Sequence, residues 1–241
     1  LAGIVIPVAC FLHGYAGFIF GSVKANALWM SPLMPVIFIM SAVVSGIALC
    51  MLTYIVIMEW TAFRRRKGND GVLAVEIKGV EHDVISQATK YLLGFLVAAI
   101  TLELLDLIFR GNTAMKSWDI LREAMFVNDF TKIFVLQYTL GNLVPLVLLL
   151  LPGRTIKRTV LALLLVLFGV FMMRWNVVIG GQAFSLSFAG FMHYHLPILP
   201  TTWETFREGL FGALTVMATP FVIFWFLNKI FPAFLKEEKA H

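Results

Sequence analysis

The chain has 241 residues, of which 60% are hydrophobic and only 14% are charged. Soluble globular domains carry about 25% charged residues, because polar groups must cover their surfaces. A mean hydropathy of +0.88 therefore excludes an ordinary water-soluble fold and indicates a protein embedded in a lipid bilayer. The net charge of +5 resides in short basic clusters between apolar stretches, which is typical of membrane topology signals and argues against nucleic-acid binding.

Cysteine content and recognisable motifs set further bounds on function. The two cysteines, Cys10 and Cys50, lie within apolar stretches and are too few for a disulfide framework or for a Cys-rich iron–sulfur or zinc motif. No metal site is predicted, because the pair His193 and His195 has no third ligand at a suitable spacing. Phosphate-binding loops, dinucleotide fingerprints and nucleophile elbows are also absent from the sequence, which argues against soluble-type catalysis.

Six apolar stretches are long enough to cross about 30 Å of hydrocarbon as helices, which takes roughly 20 residues each. Because they are continuously apolar and do not alternate, helices are favoured over barrel strands. We predict an all-α integral membrane protein with a single transmembrane helical domain over residues 1–241. The spans are placed near residues 1–21, 33–58, 88–109, 131–151, 158–179 and 206–231.

The boundaries of these spans carry capping and topology signals. Ser31 with Pro32 predicts the start of the second span, and Thr201 with Glu204 predicts a capping box before the last. Pro145, inside the fourth span, predicts a kink. Most of the 19 Lys and Arg residues lie in the loop 59–90, the turn 152–158 and the C-terminal tail, so the positive-inside rule places the C-terminus in the cytoplasm.

Ionisable side chains inside spans are costly in lipid and are functional candidates for that reason. His13 lies in the middle of the first span, where it could bind a quinone, relay protons or only bond to a neighbouring helix. Haem is disfavoured, since a second intramembrane histidine would be expected and the other four histidines lie outside the spans.

Two acidic residues share a face near the outer end of the third span, because Glu103 and Asp106 are three residues apart. A carboxyl group in apolar surroundings can exchange protons, as a relay requires. We favour that role for Glu103 and interpret Asp106, four residues before Arg110, as part of an anchoring ion pair. Glu59 closes the second span, where it is either the inner mouth of a proton path or an ordinary interfacial charge.

A basic residue interrupts the fifth span at a depth similar to that of Glu103. This residue, Arg174, could pair with Glu103, or its guanidinium could extend to the outer headgroups beside Trp175. Asn176 and the turn Gly180-Gly181-Gln182 follow directly.

Four motifs of this sequence recur together in a known group of membrane proteins. They are His13-Gly14-Tyr15-x-Gly17-Phe18, Lys24-Ala25-Asn26 with Trp29, a second span ending in Glu59, and Arg174-Trp175-Asn176-Val177-Val178-Ile179-Gly180-Gly181-Gln182. Together they resemble the NrfD/PsrC family, over nearly the whole chain. The similarity is greatest to its ten-helix branch, which includes DsrP-type and HybB-type subunits. The resemblance implies that the six spans correspond to the last six of about ten and that N-terminal helices are missing.

The resemblance also implies a function. It points to a subunit of a multi-subunit redox complex in the inner (cytoplasmic) membrane, with no haem or iron–sulfur cluster of its own. Such a subunit exchanges electrons and protons between menaquinone and a periplasmic ferredoxin-like iron–sulfur subunit, here in sulfur, sulfite or hydrogen metabolism. Glu59 and Glu103 match positions where hydrogenase-type relatives also have acids. The candidates for a proton pathway or a quinone-linked role are His13, Glu59, Glu103, Asp106, Arg174 and Asn176.

Two other classes of function fit part of the sequence. A proton-coupled secondary transporter would also carry intramembrane Glu, His and Arg with proline-broken helices, although no inverted repeat is visible. A passive membrane anchor would make Glu103 and Arg174 dispensable.

Overall fold

The computed structural model describes residues 2–23, 26, 28–68, 82–113, 122, 129–153, 155–182 and 201–230. Within these ranges all regular secondary structure is helical, and six helices are long and apolar enough to cross a membrane. The prediction of an all-α fold with six spans is therefore confirmed, and the protein is a multi-pass membrane protein.

The described helices coincide with the predicted spans. The first three are α1 (Ala2–Gly21), α2 (Met34–Gly68) and α3 (His82–Thr113). The fourth, α4, joins a π-helical segment, Thr131–Leu143, to an α-helical one, Val144–Leu150. The fifth, α5, joins Ile156–Trp175 to a π-helical end, Asn176–Gly180. A short helix α6 (Trp203–Glu208) precedes α7 (Leu210–Ile230).

Two helices extend beyond the bounds that hydropathy predicts. The α2 helix continues past residue 58 through the basic cluster to Gly68, and α3 begins at His82 and not near residue 88. Hydropathy marks only the length that lies in hydrocarbon, whereas the backbone ladder of a helix continues into the polar regions.

The chain forms two compact units, Leu1–Met192 and His193–His241. In the first unit α2 packs against α1, α3 and α5, and α5 also packs against α4. The core lies between α2, α3 and α5, where apolar side chains from all three helices are almost fully buried. These include Val44, Ala48, Leu92, Leu163 and Val166.

Glycine allows two close helix contacts in this unit. A Cβ atom at Gly17 of α1 would lie 2.7 Å from the Met34 carbonyl oxygen, so α1 passes directly over the start of α2. A Cβ atom at Gly141 of α4 would collide with the Gly169 backbone of α5. Small residues at such crossings let backbones approach closely, which is how helices gain packing energy in lipid.

The π-helical part of α4 ends next to Pro145. The backbone N–H of Val144 bonds to the Thr139 carbonyl five residues earlier, which is the π-helical spacing. Proline has no N–H and its ring crowds the preceding turn, so a widened turn before Pro145 accommodates it without breaking the span.

In the second unit, α6 begins one residue later than its capping signal predicts. Thr202 and Thr205 form the capping box, so the assignment to Thr201 and Glu204 is wrong. Thr205 replaces the acid because its hydroxyl accepts from the Thr202 backbone N–H at 2.9 Å. At the other end of the unit, the Lys229 ammonium lies 4.0 Å from the centroid of the Trp225 ring.

The Gly141 crossing yields a stability prediction. We expect Gly141→Ala to lower the unfolding free energy by about 1–3 kcal/mol, the usual cost of overpacking, because its methyl group has no space beside Gly169. Gly94→Ala on α3 is the matched control, since nothing lies within 4 Å of its Cβ position. Thermal unfolding of the detergent-solubilised protein measures both. Equal melting temperatures for the two variants would contradict the close crossing.

Candidate functional site

A carboxylate within the third span is held by two amide groups of α4. Gln137 Nε2 donates to Glu103 Oε2 at 3.0 Å, and Asn142 Nδ2 donates to the same oxygen at 3.3 Å. Charge-assisted hydrogen bonds of this kind offset part of the cost of removing a carboxylate from water. The predicted candidate Glu103 is therefore the acceptor at one end of a polar network.

The π-helical turn explains why both amides reach one oxygen. Gln137 and Asn142 are five residues apart, and in an α-helix that spacing would place them about 140° apart around the axis. A π-helix bonds residues five apart and brings them onto one face. The irregular turn thus aims both side chains at Glu103, which agrees with the frequent occurrence of such turns at functional sites.

The network continues to the end of α5. Asn176 Nδ2 donates to Gln137 Oε1 at 2.9 Å and to the Lys132 carbonyl oxygen at 3.3 Å. Gln137 is 6% exposed and Asn176 is 9% exposed, so the amide pair is buried. Glu103, Gln137 and Asn176 therefore form one hydrogen-bonded chain across α3, α4 and α5, which we call the amide–carboxylate chain.

The second acidic residue of α3 is also inside the protein. Asp106 is 6% exposed and accepts a hydrogen bond from the Ser31 hydroxyl. Its burial corrects the interpretation of Asp106 as an interfacial charge, while the Arg110 side chain lies outside the described residues. Ser31 also accepts from the Leu33 backbone N–H at 3.2 Å, which confirms the predicted capping role before α2.

Both acids line one small pocket, about 80 Å³ in volume. Its polar lining consists of Glu103, Asp106, Gln137, Tyr138 and Asn176, and the remaining lining is apolar. A pocket of this size exceeds the roughly 10–15 Å³ that one water needs and is below the roughly 300–1,000 Å³ of ligand pockets. It can hold ordered water between the two carboxyl groups, which is what proton exchange requires.

The predicted pairing of Arg174 with Glu103 is wrong. The Arg174 Nη2 atom lies 3.4 Å from the Ser41 hydroxyl of α2, and its guanidinium lies 5.7 Å from the centroid of the Phe38 ring. Two residues advance a helix by about 200°, so Arg174 and Asn176 point to opposite sides of α5. The guanidinium is not extended towards headgroups either, since its Nε is buried and unbonded among the described residues.

Two other candidates lie apart from this chain of bonds. His13 lines a groove between α1 and α2 with Cys10 and Ile39, and its ring makes no hydrogen bond to any residue that the structure describes. Glu59 is exposed near the end of the α2 span. Their proposed roles stay predictions.

Sequence reasoning missed the amides of α4. Gln137 and Asn142 were visible as polar groups inside an apolar span, which is the signal used for the charged candidates. It also missed that two of the quoted motifs meet: Asn26 donates to the Gly181 carbonyl oxygen at 2.7 Å, and Trp29 Nε1 donates to the Val177 carbonyl oxygen at 2.6 Å.

These features define a class of protein, a helical multi-pass membrane protein with a carboxyl-containing polar network between its spans. Residues 1–186 match the family described as polysulphide reductase NrfD, and the chain belongs to this family. A stretch of 49 residues is 49% identical to a selenate reductase subunit of Mesobacillus selenatarsenatis, which covers 20% of this chain and only 12% of that relative. No solved structure matches the chain.

The central position of Gln137 yields a second stability prediction. We expect Gln137→Leu to cost roughly 1–3 kcal/mol, because it leaves the Asn176 amide and the Glu103 carboxylate each without a buried partner. Gln87→Leu makes the same change at an exposed position of α3 and should be close to neutral. Thermal unfolding in detergent compares the two variants. A tolerated Gln137→Leu would show that the amide does not hold the network together.

Proposed function

We propose that this protein is the membrane subunit of a respiratory redox complex that exchanges electrons and protons between menaquinone and a periplasmic ferredoxin-like iron–sulfur subunit. Membership of the NrfD family and the similarity to a selenate reductase subunit support a place in a reductase complex. The observation that carries the proposal is the amide–carboxylate chain beside a water-sized pocket, inside spans that are otherwise apolar.

Quinone chemistry gives such a network a purpose. Reduction of a quinone to a quinol takes up protons together with electrons, and oxidation releases both. A proton cannot cross hydrocarbon alone, so ionisable side chains and water must conduct it between the quinone and the aqueous phase. Glu103 and Asp106 supply two carboxyl groups on one pocket for that transfer.

The chain's own residues divide this work. Glu103 takes up and releases the proton at a carboxylate oxygen, while Gln137 and Asn142 fix its orientation through their N–H donors. Because no cation within 4.0 Å neutralises Glu103 in the described part of the chain, its charge changes when the proton moves. A carboxylate in a permanent ion pair would resist that change. Asp106, bonded to Ser31, is the second exchanging group on the pocket.

Electrons must enter through another subunit. An iron–sulfur cluster is normally held by four cysteines, and this chain has two, both within its spans. A periplasmic ferredoxin-like partner and further subunits in the inner membrane complete the proposed complex, with sulfur, sulfite or hydrogen metabolism as its setting.

The role of Glu103 is testable by infrared spectroscopy. We expect electrochemical reduction of the purified, menaquinone-containing complex to change a carboxyl band that disappears in Glu103→Gln. Proton uptake on reduction, followed with a pH-indicator dye, should slow by roughly tenfold or more, since a positioned acid or base contributes about 10²–10⁴. Asp83→Asn removes an exposed carboxylate at the start of the same helix and is the control. Unchanged uptake in Glu103→Gln would reduce the protein to an anchor.

The composition of the complex is a separate prediction. Gentle purification from native membranes should recover the protein together with an iron–sulfur subunit and bound menaquinone, identified by mass spectrometry and solvent extraction. A protein that purifies alone and moves a solute across vesicles would instead support the alternative of a proton-coupled transporter.

A further inference from the structure

The segment between α1 and α2 is attached to the end of α5. Asn26, which is 3% exposed, donates to the Gly181 carbonyl, and Trp29 donates to the Val177 carbonyl. The last carbonyls of a helix have no partner within the helix, so these side chains satisfy groups that would otherwise be left unpaired. Asn26 is bonded at both ends of its amide, because its Oδ1 accepts from the Leu28 backbone N–H at 3.0 Å.

The glycine pair at the end of α5 is shaped around one aromatic ring. A Cβ atom at Gly181 would collide with the Trp29 indole, whereas a Cβ atom at Gly180 would meet only Leu28 at 3.7 Å and Asp129 at 4.0 Å. The indole also packs edge-on against Phe20 of α1, with ring centroids 5.1 Å apart. Trp29 is therefore held between α1 and α5, and only the second glycine is required to admit it.

These contacts lie beside the amide–carboxylate chain. Val177, whose carbonyl accepts from Trp29, directly follows Asn176, whose amide donates to Gln137. Leu28, positioned by Asn26, forms part of the apolar wall of the pocket that contains Glu103. The segment thus fixes the backbone at the α5 end of the chain of bonds and closes one side of the pocket.

We propose that Asn26 and Trp29 are positioning residues for proton exchange at Glu103. They hold the π-helical end of α5 so that Asn176 stays in register with Gln137, and Gln137 in turn orients the Glu103 carboxylate. This inference rests on the proposed function of Glu103. It assigns the Asn26–Trp29 segment a role that acts through Asn176 and involves no contact with the quinone.

The test uses substitutions that differ only in their effect on Trp29. Trp29→Phe keeps an aromatic ring and removes the donor to Val177, and Gly181→Ala displaces the indole. Gly180→Ala is the matched control. In the purified menaquinone-containing complex we expect the first two variants to shift the Glu103 carboxyl band and to slow proton uptake roughly threefold to tenfold, the range of one hydrogen bond. Gly180→Ala should change neither.

A double variant separates positioning from general destabilisation. In an Asn176→Ala background Trp29→Phe should slow proton uptake less than about twofold, because the link to Gln137 is already lost. An equal effect in both backgrounds, or slower uptake without a band shift, would overturn the inference. If Glu103→Gln slows uptake while Trp29→Phe and Gly181→Ala do not, only the positioning role fails. If Glu103→Gln leaves uptake unchanged, the proposed function itself fails.

Discussion

The structure depends on one constraint, the cost of keeping a carboxylate inside a membrane span. Water cannot solvate Glu103 freely there, so protein donors must take its place. Gln137 and Asn142 supply them from a single helix because the chain widens into a π-helix over Thr131–Leu143. The irregular geometry of α4, the proline that follows it and the burial of polar amides are consequences of that requirement.

Helix packing determines how far the polar network can extend. The Gly141–Gly169 crossing brings the backbones of α4 and α5 together, so the short Asn176 side chain reaches Gln137 at 2.9 Å. With larger residues at the crossing, the gap would require a longer side chain or a bridging water. Close packing, which stabilises helices in lipid, here also connects three helices through hydrogen bonds.

The separation of charges across α5 has a chemical consequence. Arg174 faces Ser41 and Phe38 of α2, whereas Asn176 faces the pocket. A guanidinium bonded to Glu103 would have fixed the carboxylate in its charged form. With neutral amides as its partners, Glu103 can change charge state while the surrounding helices stay in place.

The sequence alone determined the solvent, the helical class, the approximate spans and the family, because these follow from hydropathy, span length and linear motifs. It also identified Glu103 and Asn176, since polar groups stand out in apolar stretches. Tertiary structure decided which candidates meet: Asn176 joins Glu103 through Gln137, Asp106 bonds to Ser31, and Arg174 turns to the opposite side. Hydropathy does not encode a π-helical turn or the rotation of a helix about its axis. Those depend on backbone contacts between segments far apart in the chain.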